Sequence, residues 1–271
     1  MEKHYREKYY QETQSDTYSQ EYDPEELEYI QGSLEEKEYL LKKFLRDDQR
    51  TFLDIGCGEG WALAFFHEHG WQVEGGDFSS YGIEKHNKKM LEFFEQGDVD
   101  ALCDRRIASG KKYSVVHIGN VLEHVTAPKA SLQKCAKLME DDGILYVDVP
   151  NDFNPLQAYL VDGGFIHEKK WIAKMEHISY FSKDSLTNLA NLAKDCGLKP
   201  KIVLGTEIIE FFGLNPDTNY YDHPETGHNC HAARRHWIKL LRQISLGKKI
   251  TLSKALGDMG LGRNLIAVFG K

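Results

Sequence analysis

The run Leu53-Asp54-Ile55-Gly56-Cys57-Gly58-Glu59-Gly60 constrains this chain more than any other stretch. Residues 51–55 are a short apolar run with the look of a buried strand, and residues 61–68 continue as a helix. Between them, glycines at alternate positions let the backbone turn sharply and approach a ligand closely. A strand, a glycine-rich turn and a helix form the opening unit of an open α/β sheet, in which ligands bind beyond the carboxyl ends of the strands.

The pattern downstream repeats that unit. Strands are expected at 72–76, 113–118, 144–149, 201–209 and 264–269, and a strand end near Gly97-Asp98 after an ambiguous stretch at 91–95. Helices are expected at 61–68, 80–89, 99–108, 128–139, where Asp142-Gly143 reads as the stop, and 182–196. This βα alternation predicts a Rossmann-like, doubly wound and mostly parallel sheet covered on both faces. Residues 1–49 read as an N-terminal extension or cap, tyrosine-rich at first and helical from about Pro24. Residues 50–271 read as the catalytic-type domain, with insertions at 151–180 and 210–260. The first insertion carries Phe153, Tyr159, Phe165 and Trp171, and a connection of that length is often a functional lid.

Acidic residues follow the strand ends in order. The glycine spacing is GxGxG and not the GxGxxG of dinucleotide binders, which argues against a nicotinamide oxidoreductase. Asp77 ends the second strand, where a carboxylate can accept from both ribose hydroxyls. Phe78 beside it is suited to pack on a purine, and Asp98 is placed to accept from an adenine amino group. Any one of these acids alone reads equally well as a helix cap or a solvated loop; the ordered set points to a nucleoside site.

At this point the sequence resembles the class I S-adenosylmethionine-dependent methyltransferases, in their ubiquinone-biosynthesis-like small-molecule branch. LDIGCGEG looks like their first motif, GDFS (Gly76–Ser79) their acidic second-strand motif and Gly97-Asp98 their adenine-side motif. NVLEHV (residues 120–125) and HISYFS (residues 177–182) are similar to later motifs of the same branch. The resemblance implies S-adenosylmethionine as cofactor, with Asp54, Gly56, Cys57 and Gly58 at its methionine end and sulfonium side. It further implies Asp77 on the ribose, Phe78 and Val99 flanking adenine with Asp98 at its edge, and Asn120 near the methionine. A last strand running antiparallel beside the sixth belongs to the same family fold. In the quinone O-methyltransferases of this branch the residue matching Asn120 is typically Glu and joins the residues matching Glu123 and His124 around a divalent metal. Asn is a weaker ligand for a hard cation, so no metal is expected, and Glu123-His124 reads as a pair that fixes its loop.

A sulfonium methyl is already electrophilic, so alignment and exclusion of water carry much of the work. A hydroxyl acceptor needs a base, for which histidine is suited. His177, at the end of the lid segment, and then His124 are the candidate catalytic residues. His167, Lys169, Lys170 and Trp171 are further lid residues that reach either the acceptor or solvent. His223, His228, Cys230 and His231 cluster in HPETGHNCH, but their spacing matches no closed zinc site.

Charge is uneven along the chain. Residues 1–50 hold fourteen acidic against eight basic residues, and residues 197–271 six against eleven. The basic end suggests an anionic acceptor, phosphorylated, nucleotide-linked or sugar-related, with Arg234, Arg235 and Arg242 as phosphate or carboxylate grips; the plain alternative is a solvated basic helix. The formal net charge of −8 and the lack of a DPPY or NPPY motif argue against a nucleic-acid substrate. No apolar run approaches a membrane span, the N-terminus has no secretory h-region, and the five irregularly spaced cysteines fit a cytoplasmic protein. A methyltransferase fold kept as a non-catalytic partner subunit is the remaining alternative.

Overall fold

The computed structural model describes residues 21–167, 169, 171–172, 177–193, 196–210 and 230–271, with the backbone alone for 230–235. Seven strands form one sheet in the order β3-β2-β1-β4-β5-β7-β6. They are β1 (Thr51–Ile55), β2 (Gln72–Asp77), β3 (Phe94–Gln96), β4 (Tyr113–Gly119), β5 (Met139–Pro150), β6 (Lys199–Thr206) and β7 (Asn264–Gly270). Strands β1 to β5 pair in parallel, and β7 runs antiparallel to both β5 and β6. The expected doubly wound sheet with an antiparallel last strand is what forms.

Two apolar layers sandwich the sheet because both strand faces are apolar. Leu53, Ile55, Val116, Ile118, Leu145 and Val147 face one layer. There they meet α4 (Val99–Ala108), α5 (Pro128–Leu138) and α7 (Lys183–Leu192). Phe52, Val73, Val115, Ile144 and Tyr146 face the other. That layer is closed by α1 (Pro24–Leu41) and α2 (Trp61–Glu68), with Phe52 stacked on Phe66 at 4.3 Å between ring centroids. Helix α1 starts cleanly: Asp23 caps it, Glu26 completes a capping box, and Pro24 sits in its first turn. Its Leu34, Leu40 and Leu41 are buried in the core.

The remaining elements are α3 (Tyr81–His86), a 3-10 turn (Lys88–Phe93), α6 (Pro155–Asp162), α8 (Cys230–Leu241) and α9 (Leu246–Asp258). Several boundaries differ from expectation. The helix expected over 80–89 is α3 followed by the 3-10 turn, which leaves β3 only three residues long. Helix α5 stops at Leu138, and β5 begins at once, five residues before the expected strand start. Gly143 is therefore a strand residue. A Cβ there would lie 2.9 Å from the Tyr113 carbonyl and 3.0 Å from that of Ser114, where the β4–β5 register shifts. Glycine serves close approach at a bulge here and not a helix stop. The first insertion contains α6, capped by Asn154, and its Leu160, Ile166 and Trp171 pack with Ile209 in a small core of their own. Trp171 is thus a packing residue, 4% exposed, and not a solvated one.

Candidate functional site

The glycine turn after β1 requires its glycines. Gly56, Gly58 and Gly60 have φ of 76°, 53° and 75°. A Cβ on Gly56 would run into the Val121 side chain. The Gly56 and Cys57 amides donate to the Gly76 carbonyl at 2.8 and 3.2 Å, which fastens the turn to β2. At the end of β2, Asp77 accepts from the Gly58 amide at 3.0 Å and the Ser79 amide at 3.1 Å. Burial pushes its carboxyl up to about 6, against the pull of those amide bonds. Cys57 turns its sulfur inward, 3.2 Å from where a Cβ on Gly75 would stand. Burial, then the charges of Asp54 and Asp77, push its thiol well up, so the residue offers its backbone and no nucleophile.

The carboxylate of Asp54 faces the α1 side of the sheet. Its Oδ1 lies 2.5 Å from His117 Nδ1, and His117 Nε2 lies 2.7 Å from Lys37 Nζ. An ammonium has only donors, so Lys37 donates to Nε2, and Nδ1–H donates to Asp54. Burial lowers the pKa of both His117 and Lys37, while the carboxylates of Asp148 and Asp54 pull Lys37 back up. Asp98 caps α4, its Oδ1 accepting from the Ala101 amide at 2.8 Å. Val99 is buried at the start of that helix and Phe78 packs partly buried against the same layer.

Sequence reasoning missed a cluster over the glycine turn. Glu59 Oε2 accepts from both the Tyr22 hydroxyl and the Trp61 indole at 2.7 Å, and His86 lies 3.4 Å from its other oxygen. The Tyr22 ring meets those of Trp61 and His86 edge-on at 5.7 and 5.1 Å. Glu59 read as the variable position of GxGxG; an acid there beside Trp61 was the available signal. The N-terminal extension thus reaches the turn through Tyr22.

The second half of the site lies beyond β4 and β5. Asn120 is held at φ 52°, its amide donating to the Asp148 carbonyl at 2.8 Å. Glu123 is only 2% exposed, and its backbone carbonyl accepts from Ile178 and Ser179 at 2.8 and 3.0 Å. The expected loop-fixing role of Glu123 is therefore played by its backbone. Its side-chain Oε2 is buried without a hydrogen-bond partner. Burial, reinforced by Asp148 and Asp152, pushes this carboxyl up to about 8. His124 Nε2 lies 3.8 Å from Glu123 Oε1, and the His124 and His177 rings meet edge-to-face at 4.9 Å. His177 Nδ1, buried and without a hydrogen bond, lies 3.6 Å from Asp152 Oδ2. Arg263 holds the other Asp152 oxygen at 3.1 Å. The two predicted histidines, 53 positions apart in the chain, stand together; Asp152 and Arg263 were not foreseen.

The basic C-terminal part has partners within the chain. Lys239 pairs with Glu25 at 2.7 Å, Lys249 with Glu36 at 2.8 Å, and Arg242 with Glu28. Tyr29 donates to Glu207 at 2.7 Å. The acidic N-terminal helix and the basic insertion thus answer each other. A cavity of about 110 Å³ remains between them, lined among others by Lys37, Asp148, Trp237, Leu241 and Lys249. His223, His228 and the side chains of Cys230, His231, Arg234 and Arg235 lie outside the described residues, as does Lys170.

Comparison with known proteins agrees with this architecture. A family model described as "Methyltransferase domain" matches residues 24–199. The ubiquinone biosynthesis O-methyltransferase of Nitrosomonas europaea is 26% identical over 176 residues, covering 63% of this chain and 74% of that protein. Its namesake from Idiomarina loihiensis is 30% identical over 136 residues, covering 47% and 53%. Matched regions thus span between about half and three-quarters of these relatives. Among solved structures, the plantazolicin methyltransferase BpumL, in complex with a monoazolic desmethyl analogue and SAH, superposes with a TM-score of 0.53. It has 16% identity, with 89% of this chain and 84% of that one covered, a likeness of fold. The chain belongs to the class I S-adenosylmethionine-dependent methyltransferases, in the branch that includes the ubiquinone biosynthesis O-methyltransferases, and its cofactor is S-adenosylmethionine.

Proposed function

We propose that this methyltransferase acts on a hydroxyl oxygen of a small polar molecule. The observation that carries the reading is convergence at one edge of the sheet. The glycine turn and Asp77 lie at the ends of β1 and β2, and Glu123, His124 and His177 at the ends of β4 and β5. In this reading Gly56, Gly58 and the Cys57 backbone take the methionine end together with Asp54 and Asn120. Asp77 takes the ribose hydroxyls, and Phe78 and Val99 flank adenine with Asp98 at its edge. The acceptor hydroxyl meets His177 and His124. As the new O–C bond forms and the C–S bond breaks, S-adenosylhomocysteine leaves as a neutral thioether, and the hydroxyl proton is taken up within the histidine–carboxylate cluster.

The relatives' names speak for oxygen as the methylated atom. Pairing of Lys239, Arg242 and Lys249 with α1 removes those cations from the case for an anionic acceptor. The basic excess of residues 197–271 still puts phosphorylated, nucleotide-linked and sugar-related acceptors at the head of the screen. No helix among the described residues is long and apolar enough to cross a membrane. Cys57, Cys103, Cys135 and Cys196 are unbridged, which supports a cytoplasmic setting.

The test is calorimetric titration with S-adenosylmethionine and S-adenosylhomocysteine, beside Asp77→Ala and an NAD control, followed by the acceptor screen. Micromolar binding lost in the variant, then a product heavier by one methyl group on oxygen, is the expected result. Cofactor binding without turnover on any acceptor would favour a non-catalytic partner subunit instead.

A further inference from the structure

We infer that Lys37 and His117 are positioning residues of the cofactor site, which aim the Asp54 carboxylate at the ammonium group of the methionine end of S-adenosylmethionine. This role rests on the proposed contact of Asp54 with that end. It adds what holds the carboxylate in place, and it makes helix α1 a part of the cofactor site. Asp54 needs such help because of where β1 puts it. Leu53 and Ile55 face one apolar layer and Phe52 the other, so Asp54 shares the α1 side with Phe52 and is only 3% exposed. A carboxylate buried there requires donors. His117 Nδ1–H supplies one to Oδ1 at 2.5 Å. No hydrogen bond among the described residues engages Oδ2. One oxygen tethered and the other open is an arrangement suited to receive an ammonium group.

The imidazole is held on every side. In the strand register His117 lies beside Asp54 on β1 and Tyr146 on β5. Its ring centroid is 5.6 Å from that of Phe52 and 5.4 Å from that of Tyr146. Gly119, two residues along the same face of β4, makes room for it. A Cβ there would stand 2.9 Å from His117 Cε1 and 3.0 Å from Nε2.

Lys37 sets the tautomer of that ring. It shares a face of α1 with the buried Leu34 and Leu41, three positions before it and four after. Its Nζ lies 2.7 Å from His117 Nε2 and 4.9 Å from the Tyr146 ring centroid. An ammonium can only donate, so Nε2 accepts and the imidazole proton sits on Nδ1, toward Asp54. Without the lysine, the proton is free to move to Nε2, and Nδ1 then turns a lone pair on the carboxylate. Three apolar side chains would fill the same space without the cost of burying charge, so packing alone does not call for this chain of polar groups.

The test is calorimetric titration of the full chain with S-adenosylhomocysteine and with its deamino analogue, in which hydrogen replaces the α-amino group. Wild type is expected to prefer the amino compound at least ~10-fold, and Asp54→Asn to cut that preference below ~3-fold. His117→Phe keeps a ring but has no donor, and Lys37→Met keeps the length of the stem without its charge. Both should lose the preference as Asp54→Asn does, with affinity for the deamino analogue within ~3-fold of wild type. His117→Asn places an amide donor near the site of Nδ1 and should retain most of the preference, although it fills less space. Circular dichroism confirms that each variant is folded. A role in packing alone predicts the reverse order, with Phe better than Asn, and that order would overturn the inference. So would equal weakening toward both compounds, or full preference in folded His117→Phe or Lys37→Met while Asp54→Asn loses it. A preference that survives Asp54→Asn would instead remove the contact of Asp54 with the methionine end, and the positioning role with it.

Discussion

Asp77 titrates in a range that experiment can reach, and two properties of the protein should move with it in opposite directions. Its carboxyl is raised from 3.8 to about 6, chiefly by burial, in the ligand-free protein. The folded state therefore binds the proton more tightly than the unfolded chain does. The stability this contributes is complete below the unfolded value and is lost as pH rises through about 6. At about 1.4 kcal/mol per pH unit, the loss amounts to roughly 3 kcal/mol. Ribose hydroxyls donate to the ionised carboxylate, so nucleoside affinity runs the other way. At pH 5 only about a tenth of Asp77 is ionised, and S-adenosylhomocysteine should bind about tenfold more weakly than at pH 7.5. Asp77→Asn cannot titrate and can answer only part of what the Gly58 and Ser79 amides donate. Its binding should be weak at every pH and its melting temperature should lack the wild-type slope between pH 4.5 and 7. Calorimetry and thermal melts over that range give both quantities. Equal wild-type affinity at pH 5 and 7.5, or parallel melting curves for wild type and variant, would show that Asp77 is ionised throughout and refute the reasoning.

Three further expectations concern the scaffold. Gly56→Ala places a side chain at φ 76° and against Val121. The left-handed backbone alone costs about 1–2 kcal/mol, and adding Val121→Ala should recover the collision but not that part, as a double-mutant melt would read. Lys37→Met leaves Asp54 and His117 buried without their cation. A loss of about 3–5 kcal/mol in urea unfolding is expected, and an unchanged midpoint would show that the chain of three contributes nothing. Phe52→Ala removes a fully buried ring stacked on Phe66. It should cost about 3–5 kcal/mol in the same assay, and a loss under about 1 kcal/mol would mean the layer collapses into the space.

The parts of the fold that were legible in the sequence are those written in local patterns. Thr51–Ile55, the three glycines and Asp77 announce themselves because a buried parallel strand is a continuous apolar run and its turn tolerates few residue types. Gly143 misled for the same reason: Asp-Gly is a local stop signal, and only the partner strand reveals that the missing side chain makes room for the Tyr113 and Ser114 carbonyls. Asp54 illustrates a second limit. Motif resemblance named the residue, but its bond to His117 depends on strand pairing, and the reach of Lys37 to His117 depends on how α1 docks. His124 and His177 were named separately as candidates, yet their contact arises from backbone bonds between segments remote in sequence. Tyr22 on Glu59, and Arg263 on Asp152, were illegible because nothing local marks one partner for the other.

The pairing of α1 with α8 and α9 has a consequence for how the chain is made. Glu25 meets Lys239 across 214 positions, and Glu36 meets Lys249 across 213. During synthesis α1 emerges before its basic partners, so its acidic face waits while β1 to β6 are laid down. Contacts of such separation are slow to form, and strand β7, which slots between β5 and β6, is equally late. Closure of the sheet is therefore late, and a chain cut before Asn264 would keep β1 to β6 but lack the strand that joins β6 to β5.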